Sequence, residues 1–232
     1  MNEFISSNDL TAIWLTLQLA FVSTLLLLLI SIPIAWKLSR SRSRFKPLIE
    51  ALIALPLVLP PTVIGFYLLI SFAPHSALGQ SWQTLFDSRL AFSFSALVIG
   101  SVIYSLPFVV QPLKHTFDHL PYKLLEAAST MGSSPSDQMR HLVLPWSQAG
   151  IISAAMLGFA HTIGEFGIIL MIGGNIPGET QVLSIALYDK VEALEYTQAH
   201  WLAGGLMLFS LLMLTALYSL QANKPRGSAS WV

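Results

Sequence analysis

The chain has 232 residues, of which 10% are charged, and no net charge. An ordinary globular protein carries roughly 25% charged residues, and the mean hydropathy here is +0.65, so a soluble domain is excluded and a polytopic membrane protein is indicated. The charge balance leaves no basic footprint for nucleic acid, and the lack of cysteine removes disulfides and thiolate metal sites.

Residues 1–10 carry two acids and no basic residue before a long apolar run. A secretory signal needs a positive start and a short apolar core, so this run is expected to stay as a spanning helix. Five runs are long enough to cross a bilayer, which takes about 20 residues as a helix: about 11–36, 48–72, 90–113, 148–172 and 201–220. Pro56, Pro60 and Pro61 interrupt the second and predict a kinked or broken helix. Such a break is tolerated where neighbouring protein or a water-lined cavity satisfies the freed backbone groups. Pro107 should bend the third span less severely. Between the second and third, Pro74–Arg89 is semi-apolar, and Trp82, Leu85 and Phe86 suggest an interfacial helix. The chain has no internal repeat, and five spans do not divide into two equal inverted halves.

Lysine and arginine set the orientation. Lys37, Arg40, Arg42, Arg44 and Lys46 follow the first span, Lys114, Lys123 and Arg140 follow the third, and Lys224 and Arg226 follow the fifth. Ten of the twelve basic residues thus fall on one side, with Arg89 and Lys190 opposite. By the positive-inside tendency that side is cytoplasmic. Residues 1–10 then lie outside, and residues 221–232 form a cytoplasmic tail. The acids Glu179, Asp189, Glu192 and Glu195 lie in the last external loop.

The same rule puts the long polar interval Pro121–Pro145, PYKLLEAASTMGSSPSDQMRHLVLP, in the cytoplasm. It reads as two short helices around a tight bend. Leu124, Ala128 and Met131 recur at helical spacing on one face. Gly132 stands where a helix end needs positive φ. Ser134 caps the second helix, Pro135 opens it, Asp137 completes a capping box, and Pro145 closes it. Met139, Leu142 and Val143 give that helix an apolar side. Glu126-Ala127-Ala128, Gly132 four positions later, and Leu142-Val143-Leu144-Pro145 resemble the EAA loop of ABC-importer permeases (EAA, three residues, G, nine residues, I-x-L-P). Leu142 stands where that family usually has Ile. The resemblance implies a coupling loop that docks in a groove on a separate ATPase subunit.

The fourth span and its exit, Gly158–Tyr188, hold the remaining chemistry. His161 and Glu165 are four apart, hence on one helix face, and a carboxylate within a span is a functional hypothesis by default. A Glu paired with His161 simply to hold the bundle together is the open alternative. At ~1.5 Å per residue, Glu165 stands roughly 25 Å from the start of this helix. Gly158, Gly164, Gly167, Gly173 and Gly174 permit close helix approach. Gly164-Glu165-Phe166-Gly167 followed by Gly174-Asn175-Ile176-Pro177-Gly178-Glu179-Thr180-Gln181 resembles the permeases of molybdate ABC importers (ModB type). Sulfate/thiosulfate and tungstate permeases share a looser version.

That resemblance implies an all-α type I ABC-importer transmembrane domain (MetI-like) in the bacterial inner membrane, served by a periplasmic molybdate-binding protein. His161, Thr162, Glu165, Gly167 and Asn175 are then candidates for the translocation path or gate. No span contains lysine or arginine, so recognition of an anion there falls to neutral donors such as Asn175, Thr162, serines or backbone N–H groups. No segment matches G-x-x-x-x-G-K-[ST], so ATP-Mg belongs on a partner, and no cofactor is assigned to this chain. Five helices make a thin wall, and one hairpin serves one ATPase contact. Both point to a homodimer with two ATPases. Two other classes remain. A proton-coupled carrier would use His161 and Glu165 as a relay, but leaves the hairpin unexplained. An intramembrane enzyme would need a G-x-S-x-G or H-E-x-x-H, and neither occurs. His115, His119 and His141 read as surface residues.

Overall fold

The protein, as a computed structural model, is described over residues 6–222; Lys224, Arg226 and most of the expected tail lie outside the described residues, as do residues 1–5. All regular elements among the described residues are helical. Helix α1 (Ser7–Arg40) opens on a reciprocal capping box between Ser6 and Asp9 and, at 34 residues, is about 51 Å long. Helix α2 (Lys46–Ala54) passes through a 3-10 turn, Leu55–Leu57, before α3 (Pro61–Phe72). Then come α4 (Ala77–Phe86), α5 (Phe94–Asp118), α6 (Tyr122–Thr130) and α7 (Pro135–Gln138). A π turn, Met139–Val143, leads into α8 (Leu144–Trp146). Helices α9 (Gln148–Ile163), α10 (Gly167–Gly173), α11 (Leu183–Glu192) and α12 (Tyr196–Ala222) complete the described chain.

The scaffold is α1, α5 and α9, packed side by side. Two apolar cores are built on α1 and α5, the first completed by α10 and α11 and the second by the hairpin and α9. One joins Leu15, Leu19, Leu97, Ile168, Ile172 and Ile185; the other joins Leu27, Val109, Leu113, Phe117, Leu125 and Val143. Within lipid there is no hydrophobic drive to associate, so close fit carries the packing. Gly158 shows how close: a Cβ there would stand 2.6 Å from Cγ2 of Val109. Helix α12 lies on the outside, its apolar window only 11% buried.

Three helices, Ser7–Arg40, Phe94–Asp118 and Tyr196–Ser219, are long and apolar enough to cross a membrane, and two bent pairs raise the number to as many as five. The first pair, Lys46–Leu57 with Pro61–Phe72, turns through 103°. This is the expected proline break: Pro56 sits in the 3-10 turn, Pro60 caps α3 and Pro61 opens it. The second pair, Pro135–Trp146 with Gln148–Ile163, turns through 72°.

Two expectations need correction, and two elements add detail. The fourth run is not one helix to residue 172, because α9 stops at Ile163 and α10 begins at Gly167. Helix α5, for its part, is continuous from Phe94 to Asp118 with Pro107 and Pro112 inside it. The stretch taken for an external loop contains α11. Finally, Pro145 does not end its helix. Leu144 N–H reaches back to Met139 O in the wider π turn, and the helical path continues through Pro145 to Trp146. A proline inside an α-helix crowds the carbonyl four residues back, and a π turn at that place relieves the crowding.

Candidate functional site

The hairpin bend is fixed by backbone chemistry. Gly132 has φ +84. Its N–H bonds Ser129 O at 3.0 Å and Ser133 N–H bonds Ala128 O at 3.0 Å, the paired closure of a Schellman motif. Ser134 accepts from Asp137 N–H at 3.2 Å and donates to Asp137 Oδ2 at 2.6 Å. That hydroxyl holds the Asp137 carboxyl below its usual range. Gln138 Nε2 crosses the bend to Ser129 Oγ at 2.8 Å.

The hairpin's buried face differs from the one expected. Leu125 packs in the core with Phe117 and Leu120 and Ala128 is buried, whereas Leu124 is 40% and Met131 82% exposed. Glu126, Ala127, Gly132 and Pro145 are exposed and Leu142 is half-buried. A cleft of about 1070 Å³ separates the hairpin from the end of α1, between Arg40 and Arg42 on one side and Glu126, Ser129 and Gln138 on the other. Arg40 is anchored there, over the Trp36 ring at 4.8 Å and donating to Phe117 O at 3.4 Å.

The second cluster surrounds Glu165. The structure brings His161, Thr162 and Glu165 together, but Glu165 lies in the break between α9 and α10 rather than on a helix face. Its side chain is 1% exposed. Two serines of α5 reach it: Ser101 Oγ donates to Oε2 at 2.7 Å and Ser105 Oγ donates to Oε1 at 2.8 Å. His161 Nδ1 is 2.8 Å from Ser105 Oγ and 3.4 Å from Glu165 Oε1. The His161 ring stacks on Phe108 at 3.8 Å and lies 5.1 Å from Tyr104. Thr162 is buried and donates to Gly158 O at 3.0 Å. The backbone freed by the break is held as well, since Ser184 Oγ of α11 donates to Glu165 O at 2.5 Å. Gly167 starts α10 against α3, where a Cβ would be 3.1 Å from Pro61 Cβ. A cleft of about 410 Å³ opens beside the cluster, lined by Pro61, Tyr104, His161, Gly164, Glu165 and Phe166 among others.

Asn175 stands apart from this cluster. Its amide donates to both oxygens of Asp189, at 2.9 and 2.7 Å, and Gln181 Nε2 adds a third bond at 2.8 Å. Thr180, fully buried, donates to Gly173 O at 2.7 Å and accepts from Ile176 N–H at 3.2 Å. These bonds fold residues 173–181 onto α11. The sequence reading missed Ser101, Ser105, Thr180, Ser184 and Asp189. A signal existed for the first two, which stand four apart on α5 and therefore share a face. Among the described residues no group of three or more His, Cys, Asp or Glu could hold a metal ion.

Residues 27–224 match the family described as binding-protein-dependent transport system inner membrane component. The chain is 56% identical over 215 residues to the molybdenum transport system permease protein ModB of Azotobacter vinelandii, covering 93% of this chain and 95% of that one. The chain belongs to the binding-protein-dependent transport permeases. It is thus an integral inner-membrane subunit of an ABC importer, not itself catalytic. Two solved structures share the fold. A bacterial ABC transporter involved in the import of the acidic polysaccharide alginate superposes with a TM-score of 0.77 at 16% identity, covering 96% of this chain and 82% of that one. The MetNI methionine ABC transporter in an inward-facing form gives 0.70 at 17% identity, covering 92% and 95%. This permease fold agrees with the MetI-like architecture expected from the sequence.

Proposed function

We propose that the chain is the membrane-spanning subunit of an ATP-driven importer that carries molybdate inward, with sulfate/thiosulfate or tungstate as the alternative cargo. The observation that carries the cargo is the 56% identity to a molybdenum transport permease over nearly the full length of both chains. In this reading the five runs form one domain of five spans, two of them broken, with the N-terminus outside and residues 121–145 in the cytoplasm, as the basic residues indicate. Two copies pair, two ATPase subunits bind their hairpins and supply ATP-Mg, and a periplasmic binding protein delivers the oxyanion.

The hairpin suits the coupling role through its geometry. Glu126 and Ala127 face outward while Leu125, Ala128 and Val143 are rooted in the core, so a partner gripping the exposed face would move the bundle. ATP binding closes the ATPase dimer, the hairpins pass on the motion, and the inner gate shuts as the outer one opens. His161, Thr162, Glu165 and Gly167 line or support the path. Asn175 and its Asp189 partner hold the outer loop.

The test is ATP hydrolysis by the reconstituted complex with its receptor, challenged with each oxyanion in turn. Molybdate should stimulate most, and stimulation by sulfate alone would overturn the cargo assignment. Uptake that survives without ATP but collapses with the proton gradient would favour a carrier built on the His161–Glu165 contact.

A further inference from the structure

An acid beside an anion's path is paradoxical, because an ionised Glu165 would repel the cargo. The hydrogen bonds around it resolve the paradox. Glu165 accepts at both oxygens, from Ser101 and from Ser105. With Glu165 ionised, the single proton of Ser105 goes to its carboxylate, and Ser105 Oγ then accepts from His161 Nδ1 at 2.8 Å. Thr162 Oγ1 lies farther from Ser105 Oγ, at 3.3 Å, and its own proton is directed to Gly158 O at 3.0 Å. Nδ1 then carries hydrogen, and the opposite ring nitrogen, Nε2, has no hydrogen-bond partner among the described residues. His161 remains 20% exposed at its side chain while Glu165 is sealed, and it lines the cleft beside the break.

Buried carboxylates are paired when ionised. No lysine or arginine lines this cleft; Tyr104, His161 and Glu165 are its ionisable residues, and neither Pro61 of α3 nor Ser184 of α11 adds a charge. Among the described residues His161 is the group placed to balance Glu165, with Nδ1 3.4 Å from Oε1. Its ring also lies against the π-faces of Phe108 and Tyr104, a setting that favours a cation.

We infer that Glu165, screened by Ser101 and Ser105, holds His161 as an imidazolium whose Nε2–H donates to the transported oxyanion in the cleft, which makes His161 the positive charge that the spans otherwise lack. Glu165 is then a positioning residue and does not touch the cargo. The inference rests on the oxyanion-importer reading above.

The test measures molybdate uptake per assembled complex, using permease, ATPase and binding protein together in liposomes. His161→Gln removes the charge and should lower uptake about tenfold, in line with the loss of a charge-assisted hydrogen bond. His161→Lys keeps a charge and should retain most of the uptake. Glu165→Gln keeps a hydrogen-bonding side chain but discharges the histidine. It should lose a similar factor, and adding His161→Lys should restore it, which a purely structural role for Glu165 would not allow. Equal uptake by His161→Gln and His161→Lys overturns the inference, as does a Glu165→Gln loss that lysine fails to rescue. If Glu165→Gln does not assemble, the His161 pair decides alone. Wild-type complex that takes up no oxyanion would instead sink the importer reading.

Discussion

Replacing Gly132 separates two explanations for a glycine at the bend of the hairpin proposed to couple to the ATPase. The residue has φ +84, and nothing stands within 4 Å of where its Cβ would be. Bulk is therefore accommodated within this chain, and backbone conformation is the constraint. A non-glycine residue in the left-handed region costs roughly 1–2 kcal/mol, a factor of about 5 to 30 in the population of the bent hairpin. Asparagine visits that region several-fold more readily than most residues, and a β-branched side chain does so least. The expected order of retained uptake is Gly132→Asn above Gly132→Ala above Gly132→Val, although asparagine is larger than alanine. The assay is ATP-driven molybdate uptake by complexes in liposomes, normalised to membrane-inserted permease, which should be unchanged across the series. If alanine retains as much uptake as asparagine or more, the conformational argument is wrong and a partner surface is reading side-chain size.

Other substitutions probe the rest of the molecule. Thr180→Val would strand Gly173 O and Ile176 N–H, at about 1–3 kcal/mol each, and should lower the thermal midpoint of the purified permease while Thr180→Ser does not. Gly158→Leu would force a side chain into Val109, which already stands 2.6 Å from a Cβ. Overpacking of this kind costs about 1–3 kcal/mol, so the yield of folded protein should fall, and a wild-type yield would contradict the close approach of α9 to α5. The Asp137 cap gives a pH dependence of defined sign. Because the folded carboxyl is held below its ordinary value, its contribution is complete above about pH 4 and is lost as pH falls through the depressed value. Hydrogen exchange in the hairpin, corrected for intrinsic rates, should accelerate only in acid.

The parts of this fold that were legible in sequence are those decided locally. Gly132, Ser134 and Pro135 specify a bend through the φ and capping needs of a few neighbouring residues, and Pro56, Pro60 and Pro61 break a helix wherever they occur. The parts that were not legible are decided across the bundle. Leu124 and Leu125 are adjacent and equally apolar, so periodicity alone cannot choose between them; contact with Leu120 and Phe117 does. The break at Glu165 contains no proline, and glycines such as Gly164 and Gly167 are common in spanning helices. The partners that meet Glu165 there, Ser101 and Ser105, lie about sixty positions earlier in the chain. Asn175 looked like a free donor until Asp189, fourteen residues on, proved to hold its amide.

The π turn at Met139–Val143 has a mechanical consequence. Because the helical path runs on through Pro145, only the corner at Ser147 stands between the hairpin and α9, whose far end bears His161. Sixteen residues of α9 make a rod of about 24 Å. Pivoted at that corner, a tilt of about 10° would sweep the rod's tip through roughly 4 Å, by the same length, farther than the reach of a hydrogen bond. If the hairpin couples and His161 holds the oxyanion, as proposed above, a modest push at one end of α9 would suffice to withdraw the imidazole at the other.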